Sequence, residues 1–234
     1  MLDTYIEAVE EGRKWLTVYS HADSTDLSDR LAARNATVIT RRLPPRGPPP
    51  FVTIHDGPTF VGAVSLETLE ELLAPPVIRP TDRTGLSEGY RALLEVLEET
   101  LFTALDRRQL LATSREIEDR AFRVGRGTVR VGFQRLSAFE QQVPLYRRLG
   151  EETDLDIHVY GRPDWEPPLL ENVRYHRDEE GVLEPFWCLA YDGGEDPMQA
   201  CALVARERES GFLGFWTYDP DLVGEILEAL ESIG

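Results

Sequence analysis

Few residues of this chain are of the types that do covalent or metal chemistry, and their spacing suits little of it. The four histidines are His21, His55, His158 and His176. No two stand at the i, i+4 spacing that turns a pair toward one metal, and none adjoins a cysteine. Cys188 and Cys201 lie in apolar, strand-like runs and read as buried thiols acting as small hydrophobes. A redox pair would need their Cα atoms within about 7 Å, which neighbouring strands could provide. No G-x-S-x-G, phosphate loop or dinucleotide fingerprint is present. Gly125-Arg126-Gly127 reads as a helix C-cap and turn. Carboxylate pairs such as Glu116/Glu118 and Asp219/Asp221 read as solvated surface, because the chain holds 42 acidic residues. The expectation is a protein with no catalytic residue and no metal, and the residues name no cofactor. A small-molecule enzyme on the same scaffold is the alternative, as is an interaction scaffold that dimerises through a helix.

Binding chemistry is better represented. Trp165, Phe186, Trp187, Phe215 and Trp216 gather late in the chain. Neighbours along a strand point to opposite faces, so one member of each pair, Phe186/Trp187 and Phe215/Trp216, faces a core. The other is free to line a cavity or to lie beneath a flanking helix. Small-molecule pockets are mostly apolar with a few placed polar groups. Gln134, Arg135, Tyr160 and Arg162 stand near strand ends and supply such groups. The expected ligand site is thus Gln134, Arg135, Tyr160, Arg162, Trp165, Trp187 and Trp216.

Those residues need a sheet to position them. Thr128–Leu136, Leu155–Tyr160, Asn172–His176, Pro185–Tyr191, Ala200–Arg206 and Phe212–Thr217 read as strands. Ser137 is placed to cap a helix running to Leu149. Asp219-Pro220 opens a closing helix to Ile233, with Leu222, Val223, Ile226, Leu227 and Leu230 on one stripe. Ser87–Leu111 reads as one long amphipathic helix with Leu94, Leu97, Leu101 and Ala104 in an a/d rhythm. Thr113 with Glu116 reads as a capping box, starting a second helix near Ser114. The fold class is α/β with α+β character: an open mixed, mainly antiparallel sheet flanked by helices, in outline like GAF and PAS sensors.

A smaller α/β module precedes it. Helix Asp3–Glu11, strand Trp15–Tyr19, helix Asp26–Asn35 and strand Thr37–Leu43 come first. The run Pro44 to Pro50 is barred from helix and central strand. A hairpin then turns at Asp56-Gly57, and Ser65 caps a helix through Leu73. This order loosely resembles the thioredoxin layout, but Ser20-His21-Ala22-Asp23 stands where its dithiol would be, and thiol exchange needs a thiolate. The expected division is 1–75 for the α/β module, 76–112 for a proline-rich linker and long helix, and 113–234 for a second domain.

In that second domain, S-R-E-I-E-D-R-A-F (Ser114–Phe122), V-G-F-Q-R-L-S-A-F (Val131–Phe139), H-V-Y-G-R-P-D-W (His158–Trp165) and G-F-L-G-F-W-T-Y-D-P (Gly211–Pro220) follow one another. In this order and spacing they resemble the DICT sensory domain. The resemblance implies a sensory, non-catalytic role in two-component or cyclic-dinucleotide signalling. It implies an unknown small ligand and a signalling partner, whether kinase, cyclase or regulator. Separately, the rhythm of the 87–111 helix offers a homodimer through that helix.

Charge narrows the setting. The net charge is −17, and of the 25 basic residues only Lys14 is lysine. A nucleic-acid surface is normally basic, so none is expected. At molar salt the Debye length is about 3 Å, which screens carboxylate repulsion, and arginine still forms bidentate pairs there. Ordinary acidic solubility and a salt-rich cytosol both account for this charge; a halophilic source is the expectation, although a GC-rich genome also favours arginine over lysine. No apolar run of membrane-spanning length and no signal peptide is legible, so the expected location is the cytoplasm.

Overall fold

The computed structural model describes residues 2–21, 31, 35–73, 87, 89–90, 92–93, 96, 99–209 and 211–233. The chain divides into two compact units, one of residues 8–101 and one of residues 1–7 with 102–234. Helix α1 (Leu2–Glu11) contributes to both.

The smaller unit is built on four strands: β1 (Lys14–Ser20), β2 (Ala36–Arg42), β3 (Phe51–Asp56) and β4 (Thr59–Ser65). They run in the order β2-β1-β3-β4, with β1 parallel to β2 and the rest antiparallel. Leu16, Val18, Val52 and Ile54 alternate onto one face and are fully buried. Ser65 accepts a hydrogen bond from the Thr68 amide at 3.0 Å and caps α2 (Leu66–Leu73), as its hydroxyl suggests. The expected helix at Asp26–Asn35 and the 75–80 linker lie largely or wholly outside the described residues.

The larger unit carries a seven-stranded sheet in the order β5-β11-β10-β9-β6-β7-β8. Its strands are β5 (Glu99–Leu105), β6 (Arg126–Arg135), β7 (Asp154–Arg162), β8 (Val173–Arg177), β9 (Phe186–Tyr191), β10 (Cys201–Arg208) and β11 (Gly211–Thr217). Strands β6, β7 and β8 are parallel neighbours, whereas β9, β10 and β11 run as an antiparallel meander. The mixed, mostly antiparallel sheets flanked by helices are the expected fold class.

The expected helix over 87–111 is corrected. Residues 89–90, 92–93 and 96 are helical, and Ala92, Leu93 and Val96 join the core of the smaller unit. Residues 99–105 are strand, not helix. The leucine rhythm hid a Thr- and Phe-bearing segment, Thr100–Thr103, whose residue types suit a strand, and pairing with β11 settles it. Leu94 and Leu97 lie outside the described residues, and Leu101 and Ala104 belong to the strand, so no continuous 87–111 helix is available for dimerisation. The next helix, α3 (Arg107–Val124), starts earlier than Thr113/Glu116 suggests. Its capping box is Asp106/Gln109, with Gln109 N donating to Asp106 Oδ1 at 2.8 Å and Asp106 N to Gln109 Oε1 at 2.9 Å. Thr113 is mid-helix, donating to the Gln109 carbonyl. Gly125 ends α3 at φ 73°, as expected of a left-handed C-cap.

Between β6 and β7 the chain forms α4 (Leu136–Phe139), a 3₁₀ turn (Glu140–Gln142) and α5 (Val143–Glu152). Ser137 does not cap this segment. Its amide and hydroxyl both donate to Asp164, at 2.8 and 2.6 Å. The chain closes with α6 (Pro220–Glu231), capped by Asp219.

Strand alternation divides the core. Val129 and Val131 of β6, Leu189 and Tyr191 of β9 and Cys201 and Leu203 of β10 pack with Leu110 and Ile117 of α3 and with Tyr146 and Leu149 of α5. Intervening residues point away, and there Arg130 reaches Glu231 of α6 at 3.1 Å. Cys188 and Cys201 therefore sit on opposite faces, and both are free. Burial pushes each thiol up to about 12.

Candidate ligand cleft

Among the described residues, clefts open on the α3 face of the large sheet. The first lies at the carboxyl end of β6, where ligands gather in sheets with parallel strands. It encloses about 200 Å³, with Leu111, Phe133, Phe186 and Trp187 as its apolar wall and Arg107, Gln134, Ser137, Gln141 and Gln142 as polar groups. A register shift in β6 between Gly132 and Arg135 interrupts its pairing with β7 at this mouth.

Trp187 is held, not loose. Its Nε1 donates to Ser114 Oγ at 3.0 Å, and its ring meets Phe212 edge-on at 6.3 Å. Arg107 lies over the same indole at 5.8 Å. One turn beyond Ser114, Glu118 is only 4% exposed. Its Oε1 accepts from the Tyr146 hydroxyl at 2.8 Å and its Oε2 from Arg115 Nη1 at 2.5 Å. Arg115 Nη2 also donates to Gln142 Oε1. Burial pushes the Glu118 carboxyl above its usual range, against the pull of Arg115 and Tyr146. Burial and the Glu118 charge together drive the Tyr146 hydroxyl well up. The expected solvated role of Glu118 is thus corrected: it ties the cleft wall to α3 and α5.

The second cleft, of about 310 Å³, lies between α3 and the strand ends where β10 begins and β11 finishes. Trp216, Ile117, Ala112 and Cys201 make it largely apolar, with Thr113, Glu116 and Tyr218 at its rim.

The structure brings Gln134 and Trp187 together and places Trp216 in the other cleft. Gln134 Nε2 donates to Glu207 at 2.6 Å. Arg135 and Arg162 converge on Glu184, at 3.8 and 3.1 Å, on the surface. Trp165 packs, partly buried, against the main core. Tyr160 belongs to a separate cluster on the opposite face. It accepts from Arg130 Nη1 at 2.7 Å and stacks on His176 at 4.4 Å. His158 Nδ1 and His176 Nε2 share a hydrogen bond of 2.9 Å, and Arg174 and His158 both reach Asp156. Burial favours a raised Asp156 pKa, but the bonds from His158 and Arg174 outweigh it and hold the carboxyl low. Among the described residues no group of three or more metal-ligating side chains occurs.

Sequence reasoning passed over Arg107, Ser114, Glu118, Gln141 and Gln142. The spacing Leu110, Ser114, Ile117, Ala121 carried a usable signal. It marks a buried helical stripe, so Ser114 and the adjoining Glu118 fall inside it.

No curated protein matches the chain. Among solved structures, polyphosphate kinase from Porphyromonas gingivalis aligns with 99% of this chain at 14% identity and a TM-score of 0.36, and the chain spans 48% of that protein. No helix among the described residues is long and apolar enough to cross a membrane. The family model for the sensory domain of diguanylate cyclases and two-component systems matches residues 90–208, a stretch that contains the Trp187 cleft. This chain belongs to the DICT family of sensory domains.

Proposed function

We propose that this protein senses a small ligand in the Trp187 cleft and passes its state to a signalling partner. DICT domains are sensory modules of diguanylate cyclases and two-component systems, which supports the sensory role. The reading takes the chain as non-catalytic, acting in a salt-rich cytoplasm on a kinase, cyclase or regulator, without nucleic acid or membrane. The observation that carries it is the chain Gln142–Arg115–Glu118–Tyr146, half-buried at its Gln142–Arg115 end and buried at Glu118 and Tyr146, beside a tryptophan-walled cleft. A ligand that moves Gln142 or Trp187 also perturbs α3 through Arg115 and Ser114, and α5 through Tyr146. Such a network can report occupancy because its members are hydrogen-bonded to one another.

Native mass spectrometry of protein purified from its own host tests the reading. Wild-type protein should carry a retained small molecule, and Trp187→Ala should lose it while keeping its circular dichroism spectrum. A ligand kept by folded Trp187→Ala and lost by Trp216→Ala would move the site to the other cleft.

A further inference from the structure

We infer that the Trp187 cleft takes a small monocyclic aromatic carboxylate, an inference that rests on the cleft being the ligand site. Four observations converge. The first is charge. In a chain of net charge −17, Arg107 meets no carboxylate among the described residues; its recorded contact is the Trp187 ring. It also occupies the first turn of the 18-residue helix α3, where the helix dipole disfavours a cation. An incoming anion would relieve both conditions.

The second is hydrogen-bond polarity. Arg115 donates to the Oε1 atom of Gln142, so the Nε2 of Gln142 is left as a donor at the cleft. Gln134 is the reverse. Its Nε2 is taken by Glu207, which leaves its Oε1 as an acceptor. The cleft therefore offers a guanidinium and an amide donor for a carboxylate, and one acceptor for a ring hydroxyl. Glu118 does not oppose an anion as a bare charge would, because Arg115 and Tyr146 already occupy both its oxygens.

The third is the apolar wall: Phe133, Leu111 and the Trp187 ring, held by Ser114, line the cleft and offer an aromatic ring apolar contact. The fourth is size. About 200 Å³ lies below the range of roughly 300–1,000 Å³ that holds drug-sized ligands, so one ring with its carboxylate suits it and a nucleotide does not.

Isothermal titration calorimetry with para-hydroxybenzoate and its neutral isostere para-hydroxybenzamide tests this. The carboxylate should bind more tightly by about tenfold or more, the effect of a charge-assisted hydrogen bond. Arg107→Gln should erase that preference, and Arg107→Lys should restore part of it. Arg107 is exposed, so both variants should melt as the wild type does. Trp187→Ala should weaken both compounds together. Equal binding of the two compounds, unchanged in Arg107→Gln, overturns the carboxylate assignment and leaves the cleft as the site. Binding of neither at millimolar concentration also overturns the assignment, and the retained-ligand measurement on Trp187→Ala then decides separately whether the cleft is the sensor.

Discussion

Trp187 and Trp216 occupy comparable positions and do different things. Each follows a buried phenylalanine, Phe186 at 4% exposure and Phe215 at 0%. Each points to the α3 face and lines a cleft there. Yet the larger cleft, beside Trp216, is largely apolar with Thr113, Glu116, Thr217 and Tyr218 as its polar groups, whereas the smaller one is ringed by amides and a cation and adjoins a partly buried hydrogen-bonded network. Volume alone would favour Trp216. Recognition chemistry favours Trp187, because specificity comes from a few placed polar groups. The difference arises one helical turn at a time. Along α3, Ser114 and Glu118 face the Trp187 side, while Ala112, Thr113 and Glu116 face the Trp216 side.

Three experiments would break or sharpen that contrast. The largest effect is expected from Phe186→Ala and Phe215→Ala. Truncating a buried aromatic costs about 3–5 kcal/mol, and both melts should fall by a similar amount. Unequal losses would mean that the two aromatic pairs are not equivalent as scaffolds, and that the tryptophans differ for that reason instead. Next is Glu118→Ala. It leaves the buried Tyr146 hydroxyl without its partner, at a cost of about 1–3 kcal/mol, while Arg115 keeps its bond to Gln142. With fluorinated tryptophan, the Trp187 resonance should move and that of Trp216 should stay. Movement of both would show that the two clefts are coupled.

The smallest effect concerns the far face, away from both clefts. Burial, the His158 ring, Arg130 and Arg174 disfavour the His176 imidazolium, so its pKa lies below the ordinary 6.5, with Asp156 pulling the other way. A lowered base means that the folded chain binds fewer protons than the unfolded one between that pKa and 6.5. This contribution is complete above 6.5 and is lost as pH falls through the window. The His158–His176 bond gives the same sign, since two protonated rings would turn N–H against N–H. His176→Gln should flatten the acid limb of the melting profile and leave ligand affinity in the Trp187 cleft unchanged. A change in affinity with pH that disappears in His176→Gln would connect the far face to the cleft.

The strands of the larger unit were legible to within a residue or two from Arg126 onward, because β-branched and aromatic runs such as Val129–Phe133 and Phe186–Tyr191 are bounded by turn residues. The segment before them was not. Leu94, Leu97, Leu101 and Ala104 keep a helical rhythm straight through β5, and only pairing with β11 decides otherwise. The start of α3 could have been read at Asp106-Arg107-Arg108-Gln109, which is as good a capping signal as Thr113 and Glu116. Of the cleft, Trp187 and Gln134 were visible because aromatic and amide side chains near strand ends draw notice. Glu118 was not, because in so acidic a chain one buried carboxylate looks like all the others. Arg135, Tyr160 and Arg162 stand near strand ends as expected, but the twist and bulge of β6 and the pleat of β7 send them to other surroundings.

Strand β8 has a consequence for how this protein behaves in a crowded solution. It is the outer strand of the large sheet, five residues long, and an unpaired strand edge invites another chain to add to it. Two of those five residues are arginines with acidic partners, Arg174 with Asp156 at 2.7 Å and Arg177 with Glu166 at 3.6 Å. A second strand laid along β8 would have to strip water from both ion pairs over a very short ladder. That shortness and charge protect the sheet from aggregation at the edge nearest the stacked histidines.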